Sequence, residues 1–144
     1  MRSTWHSLRG VNQLNTTSLQ QFQKQVGELL LRHRSILDIL SKYHQAGGSV
    51  HRAVVKSITE CGCIEVVASK QEYTADMTIQ QARDILKTHV SGELCETCAE
   101  IIREELGKNL FYIASLCNVL NIDLQTVVEE ESKKCTALGV FKMT

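Results

Sequence analysis

The chain contains no proline and only eight glycines in 144 residues, and this absence constrains its fold more than any other feature. Proline clashes with the carbonyl one turn back and donates no amide hydrogen, so it ends or kinks helices. A chain without it can run long helices. Apolar residues recur here at three- and four-residue spacing over most of the length, the period of one helix face. The expectation is an all-α chain.

Five helices are expected, with boundaries set by caps and by the end of each apolar stripe. The first begins at Ser18, a candidate N-cap with Gln21 completing a capping box. It carries Leu19, Phe22, Val26, Leu29, Leu30, Leu37, Leu40 and Tyr43 as far as Gly47-Gly48, with an interruption allowed near Arg32–Arg34. Ser49 caps the second, which places Val50, Val54, Ile58, Cys61 and Ile64 on one face before fraying around Lys70–Tyr73, with Gly62 in its middle. Thr78 and Gln81 form a capping box for a shorter third helix, which uses Ile79, Ala82, Leu86 and Val90 and stops at Ser91-Gly92. In the fourth, Leu94, Cys98, Ile101, Ile102, Leu106, Leu110, Ile113, Cys117 and Leu120 hold a stripe for roughly seven turns. Asp123 caps the fifth, whose Glu129–Lys133 and Glu130–Lys134 spacings suit ion pairs one turn apart; Gly139 ends it. No repeat, low-complexity segment or linker divides the chain. Residues 1–144 therefore read as a single all-α domain, a bundle of about five helices with a short cysteine-bearing insertion, a satellite at about 70–92.

Charge narrows the function classes. Sixteen basic and sixteen acidic residues are interleaved to a formal net charge of zero, which leaves no field to hold nucleic acid or an anionic membrane. Neither is expected as a partner. The first eighteen residues lack the apolar core of an export signal, and nowhere do about eighteen apolar residues run together. A cytoplasmic protein is the expectation. Asn15-Thr16-Thr17 fits a glycosylation sequon, but a chain that is not exported never meets the enzyme that reads it.

The stretch ECGCIE and, downstream, LCETCAE carry four of the six cysteines as two close pairs, Cys61-x-Cys63 and Cys95-x-x-Cys98. Pairs separated by about thirty residues are the arrangement by which two knuckles enclose a tetrahedral Zn²⁺. Cys95 and Cys98 share one face of the first turns of the fourth helix, where free amides and the helix dipole favour thiolate. Cys61 and Cys63 would point about 200° apart in a regular helix. Both reach one metal only if the chain unwinds, and Gly62 is the residue that permits it. Core packing, a disulfide or redox dithiol, and an iron–sulfur cluster remain alternatives; the last matches the common ferredoxin spacings poorly. A structural zinc site is the leading reading. Cys117 and Cys135 read as inert core thiols, and His6, His33, His44, His51 and His89 show no metal spacing and read as surface residues. No phosphate-binding glycine loop or nucleophile motif is present.

The run Glu104-Glu-Leu-Gly-Lys-Asn-Leu-Phe-Tyr-Ile-Ala-Ser-Leu-Cys-Asn-Val-Leu-Asn-Ile-Asp123-Leu resembles the second half of the MazG-like nucleoside triphosphate pyrophosphohydrolases. There a Glu-Glu-x-x-Asp motif opens a helix that continues through Leu-x-Tyr and a small-residue stretch to a loop like Asn-Ile-Asp. Thr59-Glu-Cys-Gly-Cys-Ile64 falls where that family has Glu-Glu-x-Gly-Glu-Leu. The similarity covers about residues 18–68 and 100–138, with the satellite as an insertion. It implies a helical bundle, a homodimer or homotetramer, and a nucleotide ligand whose phosphates are bridged by Mg²⁺ on paired carboxylates.

Carried over by residue, the resemblance puts the family's acids on Glu60, Cys63, Glu105 and Lys108. Glu60 and Glu105 are the catalytic candidates it implies. Cys63 and Lys108 depart from the pattern: a thiolate is a poor Mg²⁺ ligand, and a lysine repels the cation the site must hold. Lys108 is compatible with the site only as a phosphate contact. Glu65, Glu93, Glu96, Glu100 and Glu104 are the acids available for a shifted site. Two readings follow: a MazG-like module with a four-cysteine metal site that has lost or weakened hydrolysis and binds a nucleotide or regulates, and an active Mg²⁺-dependent pyrophosphohydrolase with rearranged acids.

Overall fold

The computed structural model describes residues 17–30 and 34–138. The elements run α1 (Leu19–Leu29), α2 (Ile36–Lys56), β1 (Ile64–Val66), α3 (Ile79–Ile85), β2 (Val90–Gly92), α4 (Glu96–Val119) and α5 (Leu124–Leu138). The fold is an all-α bundle carrying one small two-stranded sheet. His6, the Asn15 sequon, most of the Arg32–Arg34 interruption, His33 and the Gly139 stop lie outside the described residues.

Several boundaries follow the caps. Ser18 Oγ accepts from the Gln21 amide at 3.1 Å, and Asp123 Oδ2 accepts from the amide and hydroxyl of Thr126 at 3.0 and 2.7 Å. Each satisfies an amide that the first helical turn leaves without a partner. The Thr78–Gln81 capping box forms in both directions. Elsewhere the boundaries move. Ser35, not Ser49, precedes α2, which runs unbroken through Gly47 and Gly48 for 21 residues. Glycine costs about 1 kcal/mol in a helix interior, and the packing of α2 along α4 outweighs that local preference. On α5 the ion pair is Lys134 with Glu131 at 3.3 Å rather than with Glu130, while Glu129 accepts from Gln125 at 2.8 Å.

Among the described residues, α2 and α4 make the most extensive contact. Cys61, just past α2, meets Cys95 at the start of α4, and Gly47 in mid-α2 approaches Asn109 in mid-α4, so the two helices form an antiparallel hairpin. α1 packs on the far half of α4, where Val26, Ala114, Cys117 and Leu124 form a buried cluster bordered by Leu19, Phe22, Phe111 and Ile113. Gln23 secures this junction by acting as a piece of backbone. Its amide donates to the Ile122 carbonyl at 2.8 Å and accepts from the Leu124 amide at 2.8 Å, so α1 supplies partners for two backbone groups of the α4–α5 turn. Ile39 and Ala46 are the buried apolar residues of α2. Cys117 is a core thiol as expected; Cys135 is exposed, a correction that follows from its place on the open face of α5.

Candidate metal centre

At the end of the α2–α4 hairpin where the chain leaves α2 and returns to α4, it departs from α-helix in a way that brings sulfur atoms together. After Lys56 comes a single π turn, Ser57–Cys61, whose wider spacing changes where the following side chains point. Ser57 is fully buried and donates its hydroxyl to the Val54 carbonyl at 2.6 Å, so the turn leaves no polar orphan there. Gly62 follows at φ +71°, a left-handed conformation that side chains disfavour. Helix two thus ends at Gly62, as the sequence indicates, and Cys61 and Cys63 are freed from the opposed directions of a regular helix.

The rest of the expected second helix is something else. Ile64–Val66 is β1, paired antiparallel with β2 in the register Ile64↔Gly92, Glu65↔Ser91, Val66↔Val90. The expected third helix accordingly ends early: α3 stops at Ile85, and Val90–Gly92 is strand. Gly92 sits at φ +86°, and a Cβ there would lie 2.7 Å from the Cys63 carbonyl oxygen. Only glycine lets β2 pass so close to the thiol-bearing turn. Between the strands, the Gln71 side chain clamps the backbone of Lys87, donating to its carbonyl at 2.7 Å and accepting from its amide at 3.1 Å. The same amide nitrogen lies 2.9 Å from His89 Nε2. His89 is half-buried and holds φ +60°, and its Nδ1 lies 3.2 Å from the Val67 carbonyl. It belongs to this clamp, not to the metal cluster, and is not the surface residue expected.

β2 then delivers the chain to α4, with Cys95 as N-cap residue and Cys98 in the first turn. The Sγ atoms of Cys61, Cys63, Cys95 and Cys98 all lie within 4.8 Å of one another, and Cys61 and Cys95 are 3.7 Å apart. Four sulfurs around an ion at about 2.3 Å stand about 3.8 Å from one another. A disulfide would need about 2.05 Å, and the cysteines are free. The donor set fits a thiophilic cation in number, softness and spacing.

Local electrostatics prepare the set for one. The Cys98 backbone amide, a free donor of the first helical turn, points at Cys95 and with the neighbouring thiols lowers its pKa to about 7. That thiolate pushes Cys98 up to about 12, with burial adding to it. At Cys61 the Cys98 hydrogen bond lowers the pKa, but Cys95 and Cys63 outweigh it and the net direction is up. Cys63 donates to the Ser57 carbonyl at 3.7 Å. The negative charge is therefore placed most readily on Cys95, and a bound cation would take the place of the thiol protons.

The acids implied by the family resemblance are arranged differently. Glu60 sits in the π turn and pairs with Lys56 at 3.1 Å. Glu105 lies ten residues beyond Cys95 along α4, roughly 15 Å up the helix, where Lys108 bonds both Glu104 and Glu105 at 2.9 Å. The structure does not bring Glu60 to Glu105. Opposite Glu105 and Lys108, across a cleft of about 220 Å³, stand Lys42, Gln45 and Ser49 of α2, with Tyr112 at its side. Among the described residues, the four cysteines are the one group of three or more His, Cys, Asp or Glu side chains positioned to hold a single ion.

Fold and site together define a class: an all-α protein with a four-cysteine cluster compatible with a metal ion. No protein-family model, curated protein or solved structure matches the chain. The likeness to the MazG-like enzymes is therefore a resemblance of sequence alone, in Glu104–Leu124 and Thr59–Ile64. Among the described residues no single helix is long and apolar enough to cross a membrane.

Proposed function

We propose that this chain is a divergent MazG-like helical protein in which one Zn²⁺, bound by Cys61, Cys63, Cys95 and Cys98, has a structural role, and which serves as a nucleotide-binding or regulatory module with hydrolysis lost or weakened. The convergence of the four sulfurs within 4.8 Å carries the reading. A tetrathiolate set leaves no open position for water or substrate, so the metal ties segments together without doing chemistry. In a reducing compartment such as the cytoplasm the thiols stay free to bind it. Zinc content by elemental analysis, on protein purified without added metal, tests this directly. About one equivalent per chain is expected; a metal-free protein with four freely titratable thiols would sink it.

The weakened hydrolysis is supported by the placement of the acids. With Glu60 on Lys56 and Glu105 on Lys108, neither carboxylate faces the other across a shared ion. The cleft beside Glu105 keeps the second reading in play: Lys42 and Lys108 border it, and a nucleotide phosphate there would draw Lys108 from its carboxylate partners. Pyrophosphate release from a panel of nucleoside triphosphates with Mg²⁺ or Mn²⁺ separates the two readings. Turnover abolished by Glu105→Gln would establish the Mg²⁺-dependent enzyme; its absence at high substrate, with binding retained, supports the module.

The partner proposed is a second copy, as homodimer or homotetramer. Leu37, Leu40 and Tyr43 on α2 and Ile101, Leu106 and Leu110 on α4 remain exposed, a large apolar surface for a single chain. A strict monomer by light scattering at micromolar concentration would count against it.

A further inference from the structure

The four thiols of the cluster are not equivalent. Cys63, Cys95 and Cys98 are half-buried, whereas Cys61 is exposed, and at the adjacent Gly62 no described residue other than its chain neighbours comes within 4 Å of where a side chain would begin. A small oxidant therefore reaches Cys61 first. The Cys61 sulfur already has a reaction partner, Cys95 Sγ at 3.7 Å. Closing that gap to the roughly 2.05 Å of a disulfide needs a shift of under about 2 Å, and it takes place in the π turn and at a helix terminus, where no long ladder of hydrogen bonds resists. A buried structural site needs no exposed ligand. This one places its exposed ligand against Cys95, the residue that caps α4.

We propose that the cluster is a peroxide-sensitive switch in which oxidation joins Cys61 to Cys95 and expels the metal, leaving the segment between them closed by a disulfide in place of the ion; the proposal rests on the zinc reading above. In the first step the Cys61 sulfur attacks one oxygen of hydrogen peroxide, the O–O bond breaks, and Cys61 becomes a sulfenic acid as hydroxide leaves and is protonated to water. In the second, the Cys95 sulfur attacks the Cys61 sulfur and displaces the hydroxyl, which leaves as a second water. Two thiolates, one peroxide and two protons thus give one disulfide and two waters, with the sulfurs losing the electron pair that the peroxide gains. Cys63 and Cys98 are then the remaining donors, and two thiolates hold zinc far more weakly than four. A thiol reductant reverses the disulfide and restores the ligand set.

The test uses the full-length protein as isolated. Zinc content is measured first. Hydrogen peroxide is then added at a few equivalents in the presence of a chromophoric zinc chelator, and the product is digested without reduction for peptide mapping. The expected result is loss of about one zinc per chain, with a Cys61–Cys95 linked peptide, reversed by dithiothreitol and added zinc. Cys135→Ser, which removes the exposed thiol outside the cluster, should release zinc at the wild-type rate. Zinc that stays bound while Cys135 is oxidised would overturn the switch and leave the structural site standing. So would a released protein whose cross-link joins Cys95 to Cys98 or Cys61 to Cys63. A protein that contains no zinc and takes none up would overturn both. Should Cys61→Ser fail to hold zinc, the identity of the wild-type cross-link decides.

Discussion

The helical body and the finger that links α2 to α4 are ordered by different physics. In the body, α1, α2, α4 and α5 bury Val26, Ile39, Ala46, Ala114, Cys117 and Leu124 against one another, and burying an aliphatic side chain stabilises by about 1.5–3 kcal/mol. Between β1 and β2, residues 64–92 bury Ile64 and Ala82, and α3 makes no extensive contact with any other element among the described residues. Ordering each residue costs roughly 1–2 kcal/mol of backbone entropy. What closes this finger is polar and local, the Gln71 clamp and the short ladder, together with the four cysteines at its base. A body held by burial needs no cross-link, whereas a finger with so little burial depends on what holds its base.

The largest expected effect follows from removing the zinc proposed to bind Cys61, Cys63, Cys95 and Cys98. A tetrathiolate zinc site contributes on the order of 10 kcal/mol. Chelation under reducing conditions should therefore abolish amide protection across residues 64–92 in hydrogen exchange while helical circular dichroism stays close to that of the loaded protein. Loss of protection spread evenly over α1, α4 and α5 would break the comparison. Within the body the counterpart is Ile39→Ala. Ile39 is fully buried, so truncation leaves a cavity and should cost about 2–5 kcal/mol, read as a lower midpoint in urea. Zinc content should not change.

How much of this was legible in the sequence divides along the same line. Caps were readable because they are local: Ser18, Thr78 with Gln81, and Asp123 each act within three residues of themselves. The clustering of Cys61, Cys63, Cys95 and Cys98 was also readable, since two spacings and one glycine define it. The strands were not. Val90-Ser-Gly is three residues, too short for any period to show, and its partner lies at Ile64–Val66. Gly47-Gly48 misled for the opposite reason, since a local helix-breaking signal was overridden by packing along α4, which sequence spacing does not display. The Gln71–His89 clamp left one faint trace, a polar run that reads as loop.

A smaller effect, confined to the finger, is expected of Gly92→Ala. The new Cβ would meet the Cys63 carbonyl oxygen at 2.7 Å in a backbone conformation, φ +86°, that alanine disfavours. A left-handed residue costs about 1–2 kcal/mol, and the clash adds to it by moving Cys63 or β2. Zinc affinity in a chelator competition should fall while the urea midpoint of the chelated protein stays where it was. Equal losses in both measurements would mean that the finger and the body are one cooperative unit.

The smallest effect belongs to the body and depends on pH. The hydroxyl of Thr126, and then its amide, hold the Asp123 carboxyl below the ordinary 3.8, because both donate to the charged form. A carboxyl depressed in the folded state binds its proton more readily when unfolded, so it contributes stability above the ordinary value. That contribution disappears as pH falls through the lower folded value. The comparison is made on chelated protein, so that protons competing for the thiolates do not enter. Wild type should lose stability on acidification below about pH 4 more steeply than Asp123→Ala, which starts slightly lower at neutral pH for want of a cap. Asp123→Asn keeps an acceptor for the Thr126 amide without the charge, so it should match wild type more closely at neutral pH and follow the flatter profile in acid. Parallel profiles for all three proteins would show that the Asp123 charge adds nothing to the turn before α5, which would then rest on its backbone bonds and on Gln23 through the Ile122 carbonyl and the Leu124 amide.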